Sequence, residues 1–375
     1  MTTHVFIVDT TTFKYHLEYQ FVGTGKGNEV IDLNDNTIHH SKENNILSMI
    51  ADFSRVQIGD LVIFYLQQNF KQGIYEGKFY GVFKIKSLAF LDNNDEQQFL
   101  KNNLQKSLTF RCLIEPYNVY ANGVTEWEAL DEIKNIHSPN QMLWSLIYRK
   151  LKGNRGNTMI TIYESERLIK LIRDKNLRSI LESENFSFDL NTQEIIISNY
   201  KQEYTGRKNP INILPRMIKK YYKNNQFEVH LQAYILQNFY QTKLFGILGN
   251  ENIEWLGNEV SCGIGMQRID IMVSVSENGV NPRKIIPIEL KSTCVYSGIL
   301  TQIQRYVDWL EQYYIPNRCS DIAPMIICRE TNKDSKEYKD FVYRCANFNQ
   351  HNNILAISYV EFSIQNNKII FKRIF

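Results

Sequence analysis

The sequence predicts a C-terminal α/β part, in which a mixed sheet is flanked by helices, and an N-terminal β-barrel-like α+β part. Three observations lead to this fold class. Short apolar runs with a period of two recur along the N-terminal part, which is typical of small β domains. Beyond residue 225, strand patterns alternate with helical ones, which favours a sheet covered by helices. The chain has 375 residues, 43% hydrophobic and 13% aromatic, enough for two or three folded domains.

Charge and cysteine content restrict the protein class. The net charge of +3 and the isoelectric point of about 8.3 are too mild to indicate nucleic-acid binding by themselves. Six cysteines show no Cys-x-x-Cys pair, which indicates reduced thiols rather than a metal site. The N-terminus has no signal-peptide pattern, and no run reaches the ~18 apolar residues needed to cross a membrane. We therefore expect a cytoplasmic protein without membrane contact.

The N-terminal elements follow from the apolar pattern and the turn residues between the runs. We expect a helix at 44–53 and strands at 4–8, 56–66, 73–75, 80–86 and 108–114. Gly-Asp-Leu-Val-Ile-Phe-Tyr at 59–65, Gly-Ile-Tyr at 73–75 and Gly-Val-Phe-Lys-Ile at 81–85 make this part similar to PUA-like domains of the EVE and YTH group. The resemblance covers about residues 1–165. It implies a small β-barrel that receives a flipped or modified base.

Four aromatic residues are candidates for such a base pocket: Tyr65, Tyr80, Trp127 and Trp144. Aromatic planes stack on any base, so a pocket of this kind can offset the cost of extracting a base from a duplex. The alternative is a generic small barrel in which all these aromatic rings lie in the core.

Residues 149–157 concentrate positive charge. An apolar helical run at 141–148 leads into this segment, which contains two glycines, two asparagines and no acid; its cations are Arg149, Lys150, Lys152 and Arg155. Glycine lets the backbone approach a phosphate closely, and Arg and Lys neutralise it. The segment is either a DNA-contacting loop or a solvated basic turn. A strand at 158–162 and a helix at 164–174 then end the first domain, which we place at residues 1–175.

A basic connector is expected at residues 176–224. A hairpin is predicted within it, from 186–188 and 195–197. Between Glu203 and Glu228 the chain carries no acid but several cations, among which Lys219 and Lys220 are candidate DNA contacts. The stretch is either a hinge that lies against a phosphate backbone or a solvated linker.

The remaining residues, 225–375, are expected to form the α/β domain, and two acidic residues stand out in its strands. Asp270 lies in the apolar run 267–273, and Glu289 lies in the run 286–291, two residues before Lys291. Turn residues at 276–282 allow the two strands to pair antiparallel, which brings the three charged side chains to one edge of the sheet. A lone buried carboxylate in an apolar strand is costly. Two close carboxylates repel each other unless a cation lies between them.

Helices on both sides of these strands complete the pattern. Glu228 begins an amphipathic helix before them, and Gln302 and Tyr306 lie four residues apart in the helix after them. This order, helix-Glu, strand-Asp, strand-Glu-x-Lys, helix-Gln-x-x-x-Tyr, resembles the PD-(D/E)XK nuclease superfamily and most closely its NucS-like and RecB-like branch. The resemblance covers about residues 225–330. The proline of the family name is absent, since Arg268 and Ile269 precede Asp270. Further core strands are expected at 324–328, 354–358 and 369–371, with a helix at 337–347.

The resemblance implies a Mg²⁺-dependent endonuclease, with Mn²⁺ as a substitute. Asp270, Glu289 and the backbone carbonyl of Leu290 are expected to hold the ion, since oxygen ligands suit Mg²⁺ better than Zn²⁺. Lys291 is expected either to orient the attacking water or to stabilise the phosphate. Glu228 is expected to hold a metal-bound water, with Glu259 in reserve, and Gln302 to support the site. His230 is more consistent with a structural role.

Pairing this centre with a DNA-reading domain indicates a restriction endonuclease that acts on double-stranded DNA and works as a homodimer; whether it senses modified bases is left open. The alternatives are a NucS-like repair nuclease for branched or mismatched DNA, a non-catalytic nucleic-acid binder that keeps the nuclease fold, and an enzyme with an RNA substrate.

Overall fold

The structure is a computed structural model that describes residues 1–25, 30–33, 40–147, 156–223, 226–242, 252–263, 267–277 and 280–375. The chain folds as two units. The first comprises residues 1–32, 52–137 and 141–211, and the second comprises residues 33–51, 138–140 and 212–375. The stretch predicted as a connector, 176–224, is therefore divided between the two units at Ile211. None of the described helices is both long and apolar enough to span a bilayer.

The first unit contains most of the short strands. They are β1 (Thr3–Val8), β2 (Phe21–Thr24), β3 (Leu61–Leu66), β4 (Lys78–Ile85), β5 (Phe90–Leu91), β6 (Phe110–Pro116), β7 (Val124–Thr125), β8 (Asn157–Ile160), β9 (Phe186–Asp189) and β10 (Glu194–Ile197). The first helices of the chain are α1 (Phe13–Glu18), α2 (His40–Ser54), α3 (Lys101–Leu104), α4 (Glu126–Asp131), α5 (Trp144–Ile147) and α6 (Ile162–Lys175). Helix α2 contributes residues to both units.

Strands β1 to β8 form a mixed sheet, and β9 and β10 form a separate two-stranded sheet. The order of the mixed sheet is β2-β6-β4-β3-β1-β8, with β5 on β6 and β7 on β4. Strands β1 and β3 run parallel, and β3 and β4 run antiparallel. The core beside this sheet contains Val5, Ile63 and Phe79 together with Leu168 and Ile172 of α6. The helical spacing of the last two residues places them on one face, so α6 covers the sheet with its apolar side.

Three sequence predictions in this unit have different outcomes. The hairpin is confirmed as β9–β10, with Phe188 paired to Ile195. Helix α6 is confirmed and begins at a capping box, in which Thr161 and Glu164 each accept a backbone N–H of the other. The strand predicted at 73–75 is wrong. A single bridge between Asn69 and Ile74 closes a tight turn there instead.

The second unit is a six-stranded sheet with helices. Its helices are α7 (Leu214–Tyr222), α8 (Glu228–Thr242), α9 (Ile299–Trp309) and α10 (Lys336–His351), and its strands are β11 (Asn252–Ser261), β12 (Arg268–Glu277), β13 (Val280–Lys291), β14 (Met325–Arg329), β15 (Ser358–Gln365) and β16 (Lys368–Arg373). The closing strand predicted at 354–358 begins only at Ser358, since the preceding backbone bonds to the loop before β14: Leu355 donates to the Ile322 carbonyl.

The sheet order of this unit follows the chain, β11-β12-β13-β14-β15-β16. The first three strands are antiparallel neighbours. Strands β13, β14 and β15 run parallel, and each parallel step needs a crossover, which α9 and α10 provide. The structure therefore confirms the mixed sheet flanked by helices that the sequence predicts for this part of the chain.

Candidate active site

Asp270 lies where the pairing of three strands changes. The pairing of β12 with β13 ends at Ile271 and Ile288, one residue after Asp270 along β12. Past this pair, β13 still pairs with β14. Along the opposite edge of β12, β11 pairs with Ile269 and Ile271 but not with Asp270 between them. Glu259, the β11 residue at this position, has a left-handed φ of 50°. The ladder is therefore interrupted around Asp270 on both sides.

Side chains replace the missing ladder bonds around this residue. The Leu290 backbone N–H donates to Oδ2 of Asp270 at 2.8 Å, and Gln232 Nε2 donates to the Asp270 backbone carbonyl at 2.8 Å. The Gln232 amide also lies 3.2 Å from Oε1 of Glu259, whose Oε2 accepts from Arg268 at 3.0 Å. Polar groups that the strands leave unpaired thus obtain partners, and Asp270 is held from two directions.

The carboxylate of Glu289 is buried, with 1% of the residue exposed, and both its oxygens have partners. Lys291 Nζ donates to Oε1 at 2.5 Å, and the Tyr306 hydroxyl lies 2.6 Å from Oε2. The same hydroxyl lies 2.9 Å from the Arg268 carbonyl oxygen. Tyr306 is in α9, so this helix fixes the orientation of Glu289 on β13.

Negative charge dominates the electrostatics of the site. Burial and the neighbouring Glu289 raise the pKa of Asp270 well above its ordinary value. Burial also raises the pKa of Tyr306, and the charges of Glu289 and Asp270 add to this rise, so the hydroxyl stays protonated and can donate. Burial lowers the pKa of Lys291, but the adjacent Glu289 outweighs it and the pKa is raised, so Lys291 remains a cation.

Glu228 approaches the same group of residues from the start of α8. Its Oε2 lies 3.9 Å from Lys291 Nζ. Burial, with a contribution from Glu289, raises the pKa of Glu228, although Lys291 opposes this. The Phe227 N–H donates to the Ser292 hydroxyl at 3.2 Å, which ties the beginning of α8 to the end of β13. The structure therefore brings together Asp270, Glu289, Lys291 and Glu228.

Gln302 and Glu259, two further residues predicted for the site, differ in their hydrogen bonding. The Gln302 Oε1 atom is buried on α9, one turn before Tyr306, and accepts no hydrogen bond from the described residues. Glu259 has both its oxygens engaged by Gln232 and Arg268. The sequence analysis missed Gln232. Its position four residues after Glu228, on the same face of α8, is the signal that could have identified it.

His230 has the structural role that the sequence indicates. Its Nε2–H donates to Oε1 of Glu43 at 2.7 Å. Glu43 also accepts from Arg216 at 2.6 Å and from Lys220 at 2.8 Å. Burial lowers the pKa of His230 to about 4. Burial of Glu43 opposes ionisation, but these hydrogen bonds lower its pKa to about 2. The cluster is a buried ion network of the second unit.

The oxygen donors of the site fit a magnesium ion. Mg²⁺ is usually bound by one or two carboxylates, with water and substrate phosphate as the other ligands, and Asp270 with Glu289 supplies that number. Burial first, and then the charge of Glu289, raises the pKa of Asp270, and a divalent cation beside the two carboxylates would oppose this rise. Among the described residues no group of three or more His, Cys, Asp or Glu is placed to hold a metal, so protein oxygens alone do not complete a coordination shell.

The predicted base-pocket residues lie in different environments. Tyr65 is 2% exposed and packs in the first unit's core against Phe79, with ring centroids 5.1 Å apart. Tyr80 is 0% exposed, and its hydroxyl donates to the Gln193 carbonyl at 2.7 Å. Neither ring offers a face to a ligand, so the packing assigns both to the core. Trp127 is 60% exposed, and Trp144 is partly buried.

The predicted DNA-contacting cations are only partly described. Arg149, Lys150, Lys152 and Arg155 lie outside the described residues. Lys219 is exposed on α7, whereas the charge of Lys220 is paired with Glu43 in the buried network. Of these six candidates, only Lys219 is therefore seen on the surface of the described part of the chain.

Comparison with known proteins shows only distant similarity. No protein-family model matches the chain, and no curated protein sequence matches it. A hypothetical protein from Leishmania major is similar in structure over 47% of this chain and 96% of its own, with 11% identity and a TM-score of 0.30. Human THYN1 protein, in complex with DNA containing 5-methylcytosine, is similar over 46% of this chain and 97% of its own, with 13% identity and a TM-score of 0.28.

Proposed function

We propose that this protein is a Mg²⁺-dependent endonuclease that hydrolyses phosphodiester bonds in double-stranded DNA, as a restriction endonuclease does. The observation that carries the proposal is the convergence of Asp270, Glu289, Lys291 and Glu228 at the interrupted strand ladder. The elements on which the PD-(D/E)XK resemblance rests are helix α8 with Glu228, strand β12 with Asp270, strand β13 with Glu289 and Lys291, and helix α9. They follow one another in this order along the chain, which supports the proposal.

Each residue has a role in this proposal that follows from its contacts. Asp270 and Glu289 would hold the ion together with the Leu290 carbonyl, and the ion would supply positive charge to the scissile phosphate and acidify water. Lys291 remains a cation and stabilises negative charge that develops on the phosphate. Glu228, with its raised pKa, is placed to orient a water molecule by hydrogen bonding.

A non-catalytic nucleic-acid binder is the second candidate. One observation favours it: both oxygens of Glu289 already have protein partners, Lys291 and Tyr306. An ion bound to Glu289 would share an oxygen with one of these partners, since each carboxylate oxygen has two lone pairs. The two candidates differ in whether DNA is cut, and the same assay separates them.

The test is nicking of supercoiled plasmid DNA with Mg²⁺, with Mn²⁺ and with EDTA. We expect cleavage with either ion, none with EDTA, and a loss of about 100-fold or more in the variants Asp270→Asn, Glu289→Gln and Lys291→Met. Glu337→Gln and Lys339→Met are matched controls, since both residues are exposed on α10 and the substitutions change the same charges.

Several outcomes would contradict parts of the proposal. Plasmid binding without cleavage by the wild type would favour the non-catalytic candidate. Full activity in Asp270→Asn would exclude the assigned centre.

A parallel digest of RNA tests the substrate, and flap or mismatched duplexes distinguish a NucS-like enzyme from one that cuts a fixed sequence. Cutting both strands with one site per chain needs two chains, so we expect a homodimer in light scattering.

A further inference from the structure

The loop between β13 and α9, residues 292–298, is held by hydrogen bonds along its length. The Ser292 hydroxyl accepts the backbone N–H of Phe227 at 3.2 Å, which connects the loop to the start of α8. The backbone N–H of Val295 donates to the Thr331 hydroxyl at 3.3 Å, and the Val295 side chain is buried. These bonds fix the loop between the start of α8 and the segment that follows β14.

Tyr296 is the aromatic residue of this loop, and 44% of it is exposed. Its backbone carbonyl accepts the N–H of Ile299 at 3.3 Å, which anchors it at the start of α9. Its ring lies beside Gly298, where a Cβ atom would come within 3.0 Å of Cε2 and 3.2 Å of Cδ2. The glycine therefore leaves room for the ring, and an anchored residue presents an aromatic side chain to solvent.

The Tyr296 hydroxyl is close enough to the proposed active site to interact with its charges. Burial raises the pKa of Tyr296; among the charges, that of Lys291 lowers it, and those of Glu289 and Glu228 raise it. Within the described part of the chain, this hydroxyl has no hydrogen-bond partner. A phenol is a hydrogen-bond donor at neutral pH, and an exposed one bonds to water until a substrate group replaces that water.

We propose that Tyr296 is a substrate-binding residue, whose hydroxyl donates a hydrogen bond to a backbone phosphate of the DNA strand at the active site. The inference rests on the proposed function, which supplies the substrate. Tyrosine is among the side chains that contact DNA phosphates, and such contacts fix the position of the duplex without reading its sequence. Glu289 and Glu228 repel an approaching phosphate, so a neutral donor beside them provides attraction that does not depend on a net positive charge.

The first test measures DNA affinity without cleavage. A labelled fragment of the plasmid is titrated with the full chain in EDTA, and fluorescence anisotropy gives Kd. Tyr296→Phe removes the hydroxyl and keeps the ring, and we expect its Kd to rise about tenfold, as for a lost hydrogen bond to a charged group. Tyr296→Ala should bind no more weakly than Tyr296→Phe. Tyr343→Phe is the matched control, since Tyr343 is 66% exposed on α10, and its Kd should be unchanged.

Two outcomes of this titration would overturn the assignment. Wild-type affinity in Tyr296→Phe together with a loss in Tyr296→Ala would mean that the ring stacks on a base and that the hydroxyl makes no contact. Wild-type affinity in both variants would exclude Tyr296 from the DNA interface. Thermal unfolding shows that each variant is folded.

The second test separates this inference from the proposed function. In steady-state nicking with Mg²⁺, Tyr296→Phe should raise KM about tenfold and change kcat by less than about threefold, because the contact is made before and during the reaction alike. A fall in kcat at unchanged Kd would overturn the binding role. A wild type that binds DNA without cutting it would refute the endonuclease, while the Kd of Tyr296→Phe would still decide on the phosphate contact. A wild type that cuts, with unchanged Kd and KM in Tyr296→Phe, would refute this inference alone.

Discussion

Replacement of Gln232 by leucine tests whether helix α8 holds the strand that carries Asp270, the central residue of the proposed active site. Gln232 is 5% exposed, and leucine has a similar volume, so the substitution removes the hydrogen bonds without opening a large cavity. The Asp270 carbonyl then loses its donor at 2.8 Å, and Glu259 loses a contact at 3.2 Å. An unsatisfied buried acceptor costs about 1–3 kcal/mol, so we expect the free energy of unfolding to fall by about that amount.

The expected effect on activity is larger than the effect on stability. In the described part of the chain, two groups outside its strand neighbours, Leu290 and Gln232, are seen to hold Asp270. A displacement of about 1 Å in a catalytic group can cost about 100-fold in rate. We expect kcat for plasmid nicking to fall by roughly that factor at a temperature where the variant is fully folded. Urea denaturation measures the stability, and steady-state nicking measures kcat and KM separately.

Gln304 provides the matched control for this prediction. It lies on α9 and makes three side-chain hydrogen bonds, one to Asp308 at 2.8 Å and two with Asn352 at 3.0 and 3.1 Å, none of which involves a proposed site residue. Gln304→Leu should lower stability without lowering kcat. If Gln232→Leu lost stability and kept the wild-type kcat, the residue would be structural only, and the reasoning about Asp270 would be refuted.

Three further predictions concern the buried polar groups. Glu43→Ala leaves a buried cluster of cations without its acid and should lower the free energy of unfolding by about 3 kcal/mol in urea denaturation, whereas the exposed Glu337→Ala should change it little. Tyr306→Phe removes the hydroxyl that holds Glu289 and should lower kcat about tenfold at a stability cost of about 1 kcal/mol; an unchanged kcat would contradict this role. His16 is buried, and burial lowers its pKa from 6.5 to about 4. Between these pH values the unfolded chain binds a proton that the folded chain does not. Stability should therefore be undiminished above pH 6.5 and should fall by up to about 3 kcal/mol as the pH is lowered to 4. A His16→Gln variant should lack this part of the pH dependence.

The sequence predicts the placement of the main charged residues because strand geometry is local. Residues opposite each other in an antiparallel pair, and residues two apart in one strand, share a face. An acid within each of two apolar runs therefore indicates that Asp270 and Glu289 meet, and that Lys291 lies beside Glu289. The ion pair of Lys291 with Glu289 at 2.5 Å is the observed consequence.

The residues that the sequence analysis missed depend on long-range geometry. Gln232 contributes because β11 loses its pairing at Glu259, and a left-handed φ at a glutamate cannot be read from strand alternation. For Tyr65 and Tyr80, the sequence does not predict burial. Alternation shows that aromatic residues share a face of a strand, but not whether a helix covers that face. In the structure both faces of this sheet region are covered, and both tyrosines lie in the core.

The interrupted ladder connects the fold to the proposed chemistry. A strand pair that continues without a break satisfies its backbone groups internally and leaves no polar group for a ligand. At Asp270, β12 pairs with neither β11 nor β13. The Asp270 carbonyl and the Leu290 N–H therefore bond to side chains instead. Glu289, Lys291 and Glu228 lie beside this break in the pairing. Substitutions that restore regular pairing at this level, such as Glu259→Val, should therefore reduce cleavage even though they remove none of the proposed ion ligands.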